Sequence, residues 1–152
     1  LEFERGGRSL AGQVRAQFAR LVQLTGARCP DDASIRTRLA EIGTDLDAME
    51  MIDISVLSTL QKGGNTGPIS SLLKLRWSES RQSIDELAMD AIGEDALAWR
   101  PERPFYETLQ LPPEEEESLA VTPRYLNSRA FTIMGGTSEI QTNILAKSLV
   151  GL

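Results

Sequence analysis

An all-α fold, an antiparallel up-down-up-down bundle of four helices, is what this sequence predicts, and three features predict it. Apolar residues recur at steps of three and four along most of the chain. No segment alternates apolar and polar residues for long enough to call for a strand. Glycine and proline fall between the periodic segments, which leaves short connections suited to antiparallel neighbours.

The first helix spans about Arg8 to Thr25, with Leu10, Val14, Phe18 and Leu21 on one face, and Gly26 closes it. The second runs from Asp32 to about Gln61 and carries the stripe Ile35, Leu39, Ile42, Leu46, Met49, Ile52, Val56 and Leu60. Pro30-Asp31-Asp32 sets acidic groups at its positive end, and Gly63-Gly64-Asn65 stops it. The third begins near Pro68, a residue suited to a first helical turn, and continues to about Ile92, where Gly93 ends it. Its stripe comprises Ile69, Leu72, Leu73, Trp77, Ile84, Leu87, Ala88 and Ala91. The tail holds a short helix near Arg124 to Phe131 and a final one from Ser138 to about Val150.

Residues 95–122 break the pattern. Pro101, Pro104, Pro112 and Pro113 precede the run Glu114-Glu115-Glu116-Glu117, which reads as a long connection with at most a turn of helix at the glutamates. Adjacent carboxylates point to different faces of a helix, so the run is a solvated charge stretch and not a cation site. No internal repeat is present, and residues 1–152 are expected to form one domain.

Composition narrows the function. Hydrophobic residues make up 41% and charged residues 25% of the chain, which marks a globular protein. The net charge of −6 comes with no basic stripe, which argues against nucleic acid as a partner. No apolar run approaches the roughly 20 residues that cross a bilayer, and no cationic-then-apolar leader opens the sequence. The single cysteine, Cys29, cannot form an internal disulfide, which favours a reducing compartment: the cytoplasm, or the mitochondrial matrix in a eukaryote. Histidine is absent, so the chain itself supplies no Ser-His-Asp triad, no Cys-His pair and no histidine-bound metal. Proton transfer near neutral pH falls to a carboxylate, a lysine, a tyrosine or Cys29.

The most informative segment is Arg129 to Lys147, which contains Ile133-Met134-Gly135-Gly136-Thr137-Ser138-Glu139-Ile140-Gln141. Locally it is a glycine turn feeding a capped helix, with Ser138 and Gln141 at the S-x-x-Q spacing of a capping box. Two glycines permit positive φ and remove side chains from the approach to the backbone. A helix start with free N–H groups and nothing bulky before it suits an anionic or polar ligand. A well-capped corner between two helices has the same local signature.

The string Ile-x-Gly-Gly-Thr-Ser-Glu-Ile-Gln followed by Asn143-Ile144-Leu145-Ala146 resembles the C-terminal signature of acyl-CoA dehydrogenases. Weaker similarities fall in the family's order at Phe3-Glu4-Arg5, at Arg36 to Glu41, at Ser70 to Leu75 and at Ala88 to Gly93. In that family this region is the third domain, a four-helix bundle preceded by an N-terminal helical domain and a middle β domain. The resemblance implies a parent that uses FAD to oxidise the Cα–Cβ bond of an acyl-CoA to a trans-enoyl-CoA. It also implies a homotetramer or two-subunit heterotetramer, with electron-transfer flavoprotein or a similar acceptor downstream.

Site residues follow from the same resemblance. The best-known members carry the catalytic glutamate immediately before Gly-Thr; Gly135 and Gly136 stand there in this sequence, with Gly135 at the glutamate's position. A branch resembling isovaleryl- and long-chain acyl-CoA dehydrogenases takes its base from a Glu-Arg pair at the start of the first helix. Glu4-Arg5 matches that pair, which makes Glu4 the candidate base and Arg5 a substrate-binding or base-orienting residue. Gly136, Thr137 and Glu139 match flavin-contacting positions, with Glu139 directed to the adenosine half. Arg28 falls where a neighbouring subunit's arginine meets the flavin pyrophosphate. Lys147 reads as a solvated lysine, and Trp77 and Trp99 as packing groups. Two further readings stay open: a non-catalytic subunit of a heteromeric acyl-CoA dehydrogenase, and a cofactor-free helical interaction module.

Overall fold

The computed structural model describes residues 9–97 and 113–151, and among these every regular element is a helix. In chain order they are α1 (Leu10–Arg28), α2 (Ala33–Gln61), α3 (Ile69–Ile92), α4 (Pro113–Ser128) and α5 (Ser138–Val150). Short 3-10 turns lie at Gly93–Leu97 and Arg129–Thr132.

The caps follow from local chemistry. The Ser9 hydroxyl accepts the Gly12 N–H at 3.0 Å at the head of α1 and donates to the buried Asp53 carboxylate at 2.7 Å. Asp53 also accepts the Ala11 N–H at 3.3 Å, which sets an anion from α2 against the positive end of α1. Asp32 caps α2 through the N–H groups of Ser34 and Ile35, an arrangement worth about 1 kcal/mol. Gly93, at φ 55°, ends α3 as expected. Gly26 does not end α1: the helix continues through it to Arg28, and Cys29 donates its N–H to the Thr25 carbonyl.

Long-range contacts fix the helix directions. Ser9 and Arg15, early in α1, meet Asp53 and Asp47, late in α2. Arg38 pairs with Asp90 and Asp45 with Arg76, so α2 and α3 are antiparallel. Thr122 reaches Met89 while Gln82 donates to the Ser128 carbonyl, so α3 and α4 are antiparallel too. Gln17 meets Asp85 and Cys29 meets Ala91, so α1 and α3 run the same way. The first four helices are therefore the expected up-down-up-down bundle, with α5 packed on α3.

The predicted stripes form the core. Val14, Leu46, Met49, Ile84, Leu87 and Val121 are all but fully enclosed, with Phe18, Leu39, Ile52 and Trp77 packed around them. At the α2–α3 junction the stripes run out into solvent: Leu60 and Ile69 are exposed. Residues 95–122 differ from the expected connection, because their last part is helical. Pro113 opens α4, where its missing N–H costs no helical bond, and Val121 enters the core. Pro123 lies inside α4, where its ring and lost donor remove one helical hydrogen bond. The packing of Val121 and the contacts of Arg124 hold the helix together across it.

A polar seam runs through the apolar interior. Asp85 on α3 is fully buried and accepts the Gln17 side-chain amide at 2.6 Å from α1. The Arg124 guanidinium of α4 stands 3.7 Å from the same carboxylate. Burial pushes the Asp85 carboxyl above the ordinary aspartate range, opposed by Arg124, Arg81, Ser128 and Gln17. Arg81, one turn back on α3, lies over the Phe131 ring at 4.9 Å and the Trp77 ring at 5.5 Å.

Candidate functional site

The site begins where α4 gives out. Phe131 is buried against Trp77, their centroids 4.9 Å apart, and anchors the 3-10 turn that follows α4. Ile133 and Met134 then both donate their N–H groups to the Ala130 carbonyl, which closes the turn. Gly135 and Gly136 follow at φ 68° and 97°, two successive residues in a region that side chains disfavour. The chain thereby reverses into α5.

Thr137 is the N-cap: its hydroxyl oxygen accepts the Ile140 N–H at 3.3 Å, and its carbonyl accepts the Gln141 N–H at 3.0 Å. This moves the cap one residue ahead of the position expected from Ser138-x-x-Gln141. Gln141 is consequently in the second half of the first turn and turns inward, not back to the cap N–H. Its amide Nε2 donates to the Gly135 carbonyl at 3.0 Å, and the residue is 1% exposed. That inward hold on the turn is the part of the site which sequence reasoning missed. Its only signal is an amide residue one turn behind a glycine pair.

Glu139 stands exposed in the first turn of α5. The Thr137 hydroxyl, followed by the residue's own backbone N–H, holds its carboxyl below the ordinary glutamate range. Around this corner Ile133 (66% exposed), Met134 (59%) and Ile140 (52%) leave apolar surface uncovered, and Ile144 continues it one turn along α5. A side chain at Gly135 would meet nothing within 4 Å, so the approach to the turn is open on that side. Gly136, Thr137 and Glu139 are thus brought together, on a surface with a backbone approach, an acceptor carboxylate and apolar walls.

Of the other residues singled out in the sequence, Arg28, Lys147 and Trp77 are among the described residues and Trp99 is not. Glu4 and Arg5 fall outside the described residues. Just downstream of them, a shallow cleft of about 230 Å³ between α1 and α2 is lined by Ser9, Gly12, Glu50, Asp53, Ile54 and Leu57. Arg28, at the end of α1, is paired with Asp95 at 2.9 Å and Ser118 at 3.1 Å. Lys147 is exposed in the last turn of α5, and Trp77 packs with Phe131 and Arg81. Among the described residues no group of three or more acidic or cysteine side chains could hold a metal ion, and no helix is long and apolar enough to cross a membrane.

Comparison with known proteins extends over nearly the whole chain. The family described as "Acyl-CoA dehydrogenase, C-terminal domain" matches residues 8–150. Acyl-CoA dehydrogenase IpdE1 of Mycolicibacterium smegmatis is 35% identical over 157 residues, covering 100% of this chain and 35% of that protein. The Mycobacterium tuberculosis protein of the same name is 32% identical, covering 100% of this chain and 36% of its own length. The chain therefore spans about a third of the relatives it matches. Among solved structures, the FAD complex of PigA superposes with a TM-score of 0.73 at 18% identity, over 97% of this chain and 36% of that one. The Tcur3481-Tcur3483 steroid ACAD superposes at 0.69 with 17% identity, over 93% and 35%. At those identities the structures speak for the fold, while the family match and the two relatives speak for descent: this chain belongs to the acyl-CoA dehydrogenase family, and residues 8–150 correspond to its C-terminal domain.

Proposed function

We propose that this chain is the C-terminal flavin- and substrate-binding part of an FAD-dependent acyl-CoA dehydrogenase, which converts an acyl-CoA thioester to its trans-enoyl-CoA. The observation that carries the reading is the glycine corner: two left-handed glycines before the capped start of α5, open at Gly135 and walled by exposed Ile133, Met134 and Ile140. Glu139, ionised at neutral pH, only accepts hydrogen bonds. Its charge opposes a phosphate and suits hydroxyl donors, which favours the ribose of the adenosine half over the pyrophosphate. Gly136 and Thr137 supply the backbone approach beside it. Arg28, the residue for the pyrophosphate of a neighbouring subunit's cofactor, is held in this chain by Asp95 and Ser118.

Bound FAD supplies the acceptor for the β-hydrogen, leaving as hydride. Glu4 takes the α-proton on its carboxylate, and Arg5 orients the thioester or the base. Gly135 has no group to offer, and its φ of 68° resists any residue that would. The rest of the parent completes the site, in a homotetramer or a two-subunit heterotetramer that passes electrons to electron-transfer flavoprotein or a similar acceptor.

Glu4→Gln in the full-length protein tests this reading. Glutamine keeps the size and loses the proton acceptor, so FAD should remain bound while its reduction by acyl-CoA slows by about 100-fold or more. Unchanged reduction would remove Glu4 from the chemistry. A second reading, a non-catalytic subunit, draws on the empty position at Gly135; it requires that the full-length chain alone bind FAD yet not be reduced. A full-length protein that stays colourless even when assembled with its partner subunit would leave only a helical interaction module.

A further inference from the structure

We propose that Gln141 is a positioning residue for the cofactor: it fixes the Gly135–Gly136 turn from inside the bundle and so presents the turn to the flavin nucleotide. The inference rests on the flavin reading above and deepens it. The two glycines, alike in φ, stand in different surroundings. Beyond Gly135 a side chain would meet open space. At Gly136 an added Cβ would come within 2.5 Å of the Gln141 amide nitrogen and 3.6 Å of its Cδ. A side chain at Gly136, already disfavoured by its φ of 97°, would displace the Gln141 amide from the turn, whereas one at Gly135 would face the approach.

Gln141 is built for that task. It is 1% exposed, a buried amide on a helix whose Ile140 and Ile144 are exposed, and methionine would fill much the same volume. Its Nε2 binds the Gly135 carbonyl at 3.0 Å while its Oε1 finds no partner among the described residues. Burying an unpaired amide oxygen is unfavourable, so the donor on the other end must be what keeps the residue polar. Its backbone N–H is bonded to the Thr137 carbonyl. One residue thus ties both the turn and the cap to the first turn of α5. With the Gly135 carbonyl drawn inward, that peptide's other end, the Gly136 N–H, is directed outward on the cofactor side, because a planar peptide carries the two groups on opposite edges.

The test uses the full-length protein purified with FAD, and compares Gln141→Met and Gln141→Glu with the parent. Readouts are the FAD dissociation constant, the visible circular dichroism of bound flavin, and the melting temperature of the apoprotein. Methionine should leave the apoprotein melting within a few degrees of the parent, yet weaken FAD about tenfold, the worth of one good hydrogen bond, and alter the flavin dichroism. Glutamate should bind FAD weakly when ionised and regain affinity as pH falls, because the protonated carboxyl again donates to the Gly135 carbonyl; the parent shows no matching profile. Parent-like FAD binding by the methionine variant, or a glutamate variant without pH-dependent recovery, overturns the proposal. If neither variant folds, Gln141 is a core residue and the positioning role is withdrawn. A parent that holds no FAD removes the flavin reading itself, and this inference with it, whereas a parent that holds FAD with indifferent variants removes only the role of Gln141.

Discussion

The Asp85 seam and the glycine corner are both polar features set against apolar surroundings, and they are solved in opposite ways. At the seam the chain answers its own needs. Asp85 is enclosed, Gln17 and Arg124 come to it from two other helices, and Arg81 is laid over Trp77 and Phe131. At the corner the inner side is held, by Thr137 and Gln141, while the outer side shows open space at Gly135 and uncovered Ile133, Met134 and Ile140. An isolated bundle gains nothing from such a surface. The difference separates what this chain needs in order to fold from what it offers to something else.

Five substitutions at four positions sharpen or break that contrast. Asp85→Ala should cost most, about 3–5 kcal/mol, because it leaves Arg81 and Arg124 without their buried counter-charge and Gln17 without its acceptor; urea melts measure it, and a loss under about 1 kcal/mol would mean that the seam is incidental. Its pH behaviour has a defined sign. The folded-state pKa is raised, chiefly by burial, so the folded chain binds more protons than the unfolded chain. The contribution of this group is fully present below the ordinary aspartate pKa and is lost as pH rises through the raised value. Asp85→Asn should therefore flatten the parent's fall in stability across that window.

Next come Leu46→Ala and Leu87→Ala, at 1% and 0% exposure, each expected to cost roughly 2–5 kcal/mol in the same melts. Values below about 1 kcal/mol at both would contradict the core assignment. The smallest effect belongs to the corner: Ile140→Ser, at a residue 52% exposed, should change stability by no more than about 0.5 kcal/mol. A cost above 2 kcal/mol in a thermal melt of the chain would show that the corner packs as interior, and the contrast with the seam would disappear.

Long apolar periodicity made α2, α3 and α5 legible to within a residue or so, since the stripe, the preceding Asp32 or Pro68 and the Gly93 stop all agree. Local breakers misled where tertiary packing overrode them. Gly26 reads as a terminator, yet α1 runs through it; Pro113 reads as loop, yet the helix expected from about Arg124 already begins there, passes through Pro123 and sends Val121 to the core. The glycine pair and the residues after it were legible as a corner, because double glycine followed by threonine, serine and glutamate has few other uses. The cap itself was displaced by one residue, since Thr137 and Ser138 offer the same hydroxyl and only backbone geometry chooses between them. Asp53, Asp85 and Gln17 interrupt apolar stripes, a visible anomaly, but their partners lie 42 or more residues away and no spacing rule pairs them. Glu4 and Arg5 lie outside the described residues, so their candidacy rests on resemblance.

The central place of α3 has a bearing on how the molecule opens. Helices α1, α2 and α4 are each braced against more than one neighbour, whereas α5 takes its principal support from α3. Units held at one face detach at lower free energy than the whole, so α5 and its corner form a natural opening segment that can swing away while the rest of the bundle stays shut. A ligand that binds only the closed segment would then be felt first as slower backbone amide exchange along α5, before any rise in global melting temperature. Occupancy of the corner would thereby register as local protection in the last helix of the chain.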